Sequence, residues 1–178
     1  MPVIETERLT LRRMYPSDAE DMFEYAHLEE VTRYLLWSPH PSLAHTREYL
    51  YYIGERYRCG DFYDWAITLK GSGKMIGTCG FAKLDPTNNL GEIGYVINPR
   101  YKGKNVATEA VAAVIDYGFS TLGLNRIEAR YMIDNFASRR VMEKSGMAFE
   151  GIYRKAIFVK GRYETIGMCS ILASEYKR

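Results

Sequence analysis

Residues 98–110 read NPRYKGKNVATEA, and residue types in this order could hold an anion. Basic side chains and one glycine lead straight into a run with helical spacing. The first turn of a helix presents four backbone N–H groups without internal partners, and these carry partial positive charge. A phosphate placed there is held by them. The loop before the helix must turn so that its N–H groups converge, which favours a positive φ at one or two positions. Gly103 supplies one, and Asn105 stands where a second glycine is expected. Asparagine is among the few non-glycine residues that tolerate that conformation. On spacing alone two readings stand: a phosphate cradle, or a surface loop with a basic tip.

A richer glycine run, GSGKMIG at 71–77, supports no nucleotide site. A Walker loop needs Ser or Thr after its Gly-Lys, whereas Met75 follows Lys74. The run also joins two alternating segments, so it reads as a hairpin turn. Three cysteines (Cys59, Cys79, Cys169) are widely spaced and form no Cys-x-x-Cys pair, and there are only three histidines. Neither a disulfide framework nor a metal site is expected.

The elements that must position the loop follow from periodicity. A strand is expected over 8–13, and a helix over 18–27 opened by a Ser17/Glu20 capping box. A second short helix is expected to end near Trp37, and a third to run over 43–57. Strands follow in DFYDWAITLK, KMIGTCGFAKL and LGEIGYVI. A helix over 106–120, a strand in NRIEARYMI, and a short helix closed by Gly146 come next. Two final strands turn at KGR. The sum is one α/β (α+β) domain over 1–178, with a mixed, mostly antiparallel twisted sheet and helices on both faces. Its 178 residues suit one domain, and 47% hydrophobic with 26% charged residues is ordinary for a globular chain. A net charge of +2 predicts no nucleic-acid partner. The charged opening MPVIETERLT predicts no secretory signal, and no apolar run suits a bilayer. The expected setting is cytoplasmic, without a membrane partner or a metal. The oligomeric state is open, a homodimer included.

ETERLTLRRM, GEIGYVI, NPRYKGKNVATEA, NFASRRVMEKSGMAFEG and KGRYETIGMCSIL, in that order, span nearly the whole chain. Together they resemble the GNAT superfamily of acyl-CoA-dependent N-acyltransferases. They are most similar to its RimJ/RimL-type branch, whose named members acetylate the N-termini of ribosomal proteins. Arg100 and Gly103 match the superfamily's loop pattern, and Asn105 departs from it.

The resemblance implies that the phosphate is the pyrophosphate of acetyl-CoA, the cosubstrate. Lys102, Gly103, Lys104, Asn105, Val106, Ala107 and Thr108 would surround it, chiefly with backbone N–H groups. It implies direct transfer to an amine acceptor, a protein N-terminus or a small molecule, without an acyl-enzyme; the departures at Asn105, Met142 and Met168 leave a non-catalytic acyl-CoA-binding module as the alternative. A backbone N–H at Val96 or Ile97 would stabilise the oxyanion, a role worth about 3 kcal/mol in tested cases. Many superfamily members protonate the leaving thiolate with a tyrosine, but Met142 stands at that position. The branch has Asn-x-x-Ser instead, which makes Ser138 the expected donor and Asn135 a coenzyme ligand. Glu92 is the first candidate for the general base, ahead of Glu128 and Tyr153. Trp37 and His40 are candidates for the acceptor pocket. The residues alone allow humbler roles: a helix cap for Asn135, a salt-bridge partner for Glu92, a packed Trp37 and a surface His40.

Overall fold

The computed structural model describes residues 1–60 and 62–177. Eight strands form one sheet: β1 (Ile4–Glu5), β2 (Leu9–Arg12), β3 (Asp64–Leu69), β4 (Met75–Asp85), β5 (Leu90–Ile97), β6 (Arg126–Met132), β7 (Ala148–Val159) and β8 (Arg162–Leu172). Their spatial order is β1-β2-β3-β4-β5-β6-β8-β7. Every neighbouring pair is antiparallel except β5 and β6. The helices are α1 (Ala19–Ala26), α2 (Glu29–Thr32), α3 (Leu43–Arg58), α4 (Val106–Ser120) and α5 (Phe136–Lys144).

Alternation along the strands divides the apolar side chains between two layers. Trp65 and Ile67 of β3 join a cluster with Val111, Val114 and Ile115 of α4 and Met142 of α5. Ala66, between them, turns the other way and packs with Tyr25 of α1 and Leu50 of α3. Trp65 is wholly buried, and its indole N–H donates to the Pro2 carbonyl at 2.9 Å. Helices therefore cover both faces, as the sequence pattern implies.

Boundaries match the expected elements closely for β5 and α4, and there are three departures. The short second helix stops at Thr32 and does not reach Trp37. The Ser17/Glu20 box does not form. The Asp18 carboxylate accepts the Tyr15 N–H at 2.8 Å and takes both terminal nitrogens of Arg12, at 2.7 and 2.8 Å, so Asp18 organises this entry instead. The two-residue β1 is too short for its periodicity to register. Asp61, where the second expected strand begins, and Arg178, the last residue of the expected domain, lie outside the described residues.

Tight packing fixes one glycine in the sheet. A Cβ at Gly167 of β8 would lie 2.3 and 2.5 Å from ring carbons of Tyr131 on β6. The ring is held between strands and cannot swing clear. Gly167→Ala should destabilise the protein by about 1–3 kcal/mol in urea unfolding. Gly94→Ala, whose methyl meets only the Ala82 Cβ at 3.7 Å, should change stability by less than about 0.5 kcal/mol.

Candidate active site

The site begins where two strands part. β5 and β6 pair in parallel over three residue pairs, the last being Glu92 with Glu128. Beyond it β6 remains paired with β8 as far as Met132, and β5 remains paired with β4 as far as Ile97. The far half of β5 therefore presents a free edge to the fork. The Asn98 N–H donates to the Ile76 carbonyl of β4 at 2.8 Å. Backbone groups alternate along a strand, so the Val96 N–H also faces β4, while those of Tyr95 and Ile97 face the fork. This corrects half of the expected oxyanion pair. Val96 belongs to the ladder, and the Ile97 N–H faces the fork.

The loop that follows β5 enters α4 through two left-handed residues, Gly103 at φ 77° and Asn105 at φ 58°. Asn105 thus adopts the conformation for which its residue type was singled out. Its side chain makes no cap bond to α4; its Oδ1 accepts from Lys144 Nζ of α5 at 3.0 Å. The Glu109 N–H reaches back to the Asn105 carbonyl at 3.0 Å, so the N–H groups of Val106, Ala107 and Thr108 precede the first helical bond. Arg8 braces this turn through the Lys104 carbonyl (2.9 Å) and the Glu109 carboxylate (2.6 Å). Arg100 pairs with Glu24 of α1, which ties the loop to the opposite layer. Lys104 lies over the Tyr101 ring.

Three cavities meet at the fork, and Tyr95 and Leu35 line all of them. The first, about 440 Å³, runs from Val96 and Ile97 past Lys102, Gly103 and the start of α4 to Asn135 and Ser138. The second, about 240 Å³, holds Glu92, Arg130 and Ser138. The third, about 740 Å³, lies over β3–β5 beneath α1 and α3 and contains Trp37 and His40. The structure thus brings the expected coenzyme residues, all but Lys104, into one groove. It sets Trp37 and His40, the expected acceptor residues, over the central strands.

Individual side chains refine their roles. Asn135 Oδ1 accepts the Ser138 N–H at 3.2 Å and so caps α5. The Ser138 hydroxyl is 2.8 Å from the Tyr95 hydroxyl. Burial, above all, pushes the Tyr95 phenol well above its ordinary range, so it stays protonated. The Glu92 carboxylate is held by two guanidinium nitrogens of Arg130, one of them at 2.9 Å. Glu128 is engaged with Arg126 at 3.3 Å, and Tyr153 lies exposed on β7. Met142 is fully buried in the core. His40 is buried, bonds Thr46 Oγ1 at 2.8 Å, and is pushed toward neutrality by desolvation. Among the described residues no group of His, Cys, Asp or Glu could hold a metal ion, and no helix is long and apolar enough to cross a membrane.

The model of the acetyltransferase (GNAT) domain matches residues 8–148. The chain belongs to the GNAT acetyltransferase family. It is 37% identical to the uncharacterized N-acetyltransferase p20 of Bacillus licheniformis, over 99% of both chains. It superposes on a GNAT-family acetyltransferase from Bacillus anthracis with a TM-score of 0.87 and 30% identity, covering 97% of this chain and 99% of that one. At 26% identity, over little more than half of each chain, it also matches a ribosomal-protein-serine acetyltransferase of Escherichia coli and a spermidine N(1)-acetyltransferase of Vibrio cholerae. The GNAT chain is thus an N-acetyltransferase, and the family takes its acetyl group from acetyl-CoA.

Sequence reasoning missed Tyr95, Arg130, Tyr25 and Asp64. Tyr95 lay inside the GEIGYVI segment but was passed over for its neighbours. The other three carry no local motif and are assembled only by sheet register and helix packing. One consequence of the GNAT loop is measurable on stability alone. Asn105→Val should lower the unfolding free energy by about 1–2 kcal/mol, because a β-branched residue resists the left-handed region. Asn105→Gly should lower it by less.

Proposed function

We propose that this GNAT enzyme acetylates a primary amine by direct transfer from acetyl-CoA bound along the first cavity. The observation that carries the reading is the convergence of a free strand edge, a left-handed loop and a helix N-terminus in one groove. The N–H groups around Val106, Ala107 and Thr108 would hold the pyrophosphate, with Lys102 and Lys104 adding charge. The pantetheine arm would pair with the open edge of β5 as an added strand. The Ile97 N–H points where the thioester oxygen would gather charge.

Ser138 would give a proton to the departing sulfur, and Tyr95, bonded to it, would orient that hydroxyl. Asn135 acts on Ser138 through the cap. Glu92 becomes a positioning residue, since its pair with Arg130 spans the fork just past the last β5–β6 bridge. A protein N-terminal amine as acceptor has the ribosomal-protein relative in its support. A small amine has the spermidine relative and the aromatic-lined third cavity in its support.

The direct test is free thiol released from acetyl-CoA in the presence of peptides and small amines, with coenzyme binding followed in the same sample. Ser138→Ala should lower kcat by about 10²-fold while leaving acetyl-CoA affinity nearly unchanged. An unaltered kcat would remove Ser138 from the proton path.

A further inference from the structure

The third cavity carries chemistry that the coenzyme groove does not use. Sheet register aligns Asp64 of β3, Gly80 of β4 and Gly94 of β5 in one row across the face under α1 and α3. A Cβ at Gly80 would lie 2.8 Å from Asp64 Oδ1, so the carboxylate leans over β4 toward β5. Strands are spaced by about 4.8 Å, which leaves Gly94 roughly one spacing further on. Gly94 is exposed and its missing side chain leaves that place open. Next to it are Tyr95 and the fork.

The surroundings of Asp64 are apolar and aromatic: Tyr25, Trp37, Tyr49, Phe62 and Phe81 share the cavity. Among the lining residues Asp64 is the sole carboxylate, and no Lys or Arg lines the space. No ion pair reaches Asp64 among the described residues. The Tyr25 hydroxyl, 1% exposed as a residue, has no hydrogen-bond partner. A half-buried carboxylate without a cation, sharing its cavity with an unpartnered hydroxyl and ringed by aromatic faces, fits a protonated amine on an apolar body.

The geometry points to Asp64 as the residue that receives the acceptor's ammonium and takes its proton, and to a small monocationic primary amine with an apolar or aromatic body as the acceptor. This rests on the acetyl-CoA reading above. The amine arrives as R–NH3⁺ and passes one proton to the Asp64 carboxylate. Its nitrogen lone pair then attacks the thioester carbon, the C–N bond forms, and the C–S bond breaks. The second proton lost from nitrogen ends on the sulfur by way of Ser138, and Asp64 returns the first to solvent. The products are the amide, free coenzyme thiol and one proton. A polyamine is disfavoured, because a second ammonium would enter an aromatic cavity that has no second carboxylate.

Burial raises the Asp64 carboxyl to about 7, with the Trp65 N–H pulling weakly the other way. The other titratable groups that line the space are Tyr25 of α1, His40 of the connecting loop, His45 and Tyr49 of α3 and Tyr95 of β5, with Tyr57 of α3 and Cys79 of β4 also close to Asp64. Only the ionised carboxylate takes a proton, so kcat/KM should rise with pH through a limb near 7.

The experiment measures thiol release from acetyl-CoA with 2-phenylethylamine, spermidine and a short peptide as acceptors. The expected order places 2-phenylethylamine first. Asp64→Asn should lower its kcat/KM by about 10²-fold or more and abolish the limb, with acetyl-CoA binding retained. The limb should survive in His40→Gln, His45→Gln and Glu92→Gln, whatever their absolute rates. A folded-state carboxyl raised above its unfolded value favours the protonated form, so wild-type stability is lost as pH rises from about 4 to about 7. Asp64→Asn should remove that loss, so its Tm should gain on wild type at pH 8 relative to pH 4. An Asp64→Asn enzyme with an unchanged rate and limb overturns the assignment. Preference for spermidine or peptide, or no turnover of any of the three with coenzyme bound, overturns the acceptor class. Failure to bind acetyl-CoA overturns the reading beneath it.

Discussion

Three parallel residue pairs between β5 and β6 govern the rest of the molecule. A longer ladder would close the sheet and consume the backbone groups of Tyr95 and Ile97. A shorter one would let the two halves separate, since β6, β8 and β7 join the other five strands only through this seam. An unsatisfied buried backbone group costs about 1–3 kcal/mol, so a fork of this kind holds its shape only with cross-braces. Two are visible. Glu92 and Arg130 join the strands just past the last bridge, and the Tyr95 hydroxyl reaches the Ser138 carbonyl of α5 at 2.9 Å. Both connect β5 to elements beyond the fork, and both leave the backbone edge free.

The phosphate loop depends on the same seam. α4 starts only a few residues after β5 ends, and its apolar residues pack on the sheet face that also holds Ile93 and Ile97. The direction of β5 therefore sets where the helix N-terminus lies. Arg8 and Lys144 then fix the loop from two sides, one through the Lys104 carbonyl and the other through the Asn105 side chain. Binding capacity here is mostly a property of backbone direction, which explains how the position tolerates asparagine in place of glycine.

Much of this was readable from residue order. β5 and α4 announce themselves through period-two and helical spacing, and Gly103 with Asn105 through their shared tolerance of positive φ. These signals are local, so one strand or one turn suffices to decode them. Asp64 shows the opposite case. Next to Trp65 it reads as one more polar residue at the start of a strand, and nothing nearby marks it. Its meaning comes from Gly80, 16 residues on, and from Gly94, 14 beyond that, through a register set by the whole sheet. Glu92 shows how a partner escapes the local pattern. Its place on β5 was right, but Arg130, two residues past the last bridge on a strand distant in sequence, occupies its carboxylate. The end of the second helix at Thr32 escaped for a related reason. The Lys160 ammonium, from the β7–β8 turn, binds the Thr32 carbonyl at 2.6 Å, a contact that no local pattern encodes.

Alternation along β5 also bears on why no covalent intermediate is needed. Tyr95 packs toward α4 and α5, whereas Val96 packs toward α1 and α3. In the proposed reaction the coenzyme groove and the acceptor cavity approach the fork from different sides and share Leu35, Tyr95 and Val96 there. Two substrates approaching from different sides can be held together at once, and holding them supplies the main advantage that a covalent relay would otherwise provide. The cysteines agree with this arrangement. Cys79 turns into the core with α4, where burial keeps its thiol protonated, and burial likewise raises Cys169 of β8. Neither lines any of the three cavities, and Cys59 sits exposed at the far end of α3. In the proposed reaction, a sheet that opens by half a strand would let amine and thioester meet directly, with the protons handled by residues on the two sides rather than by a shared nucleophile.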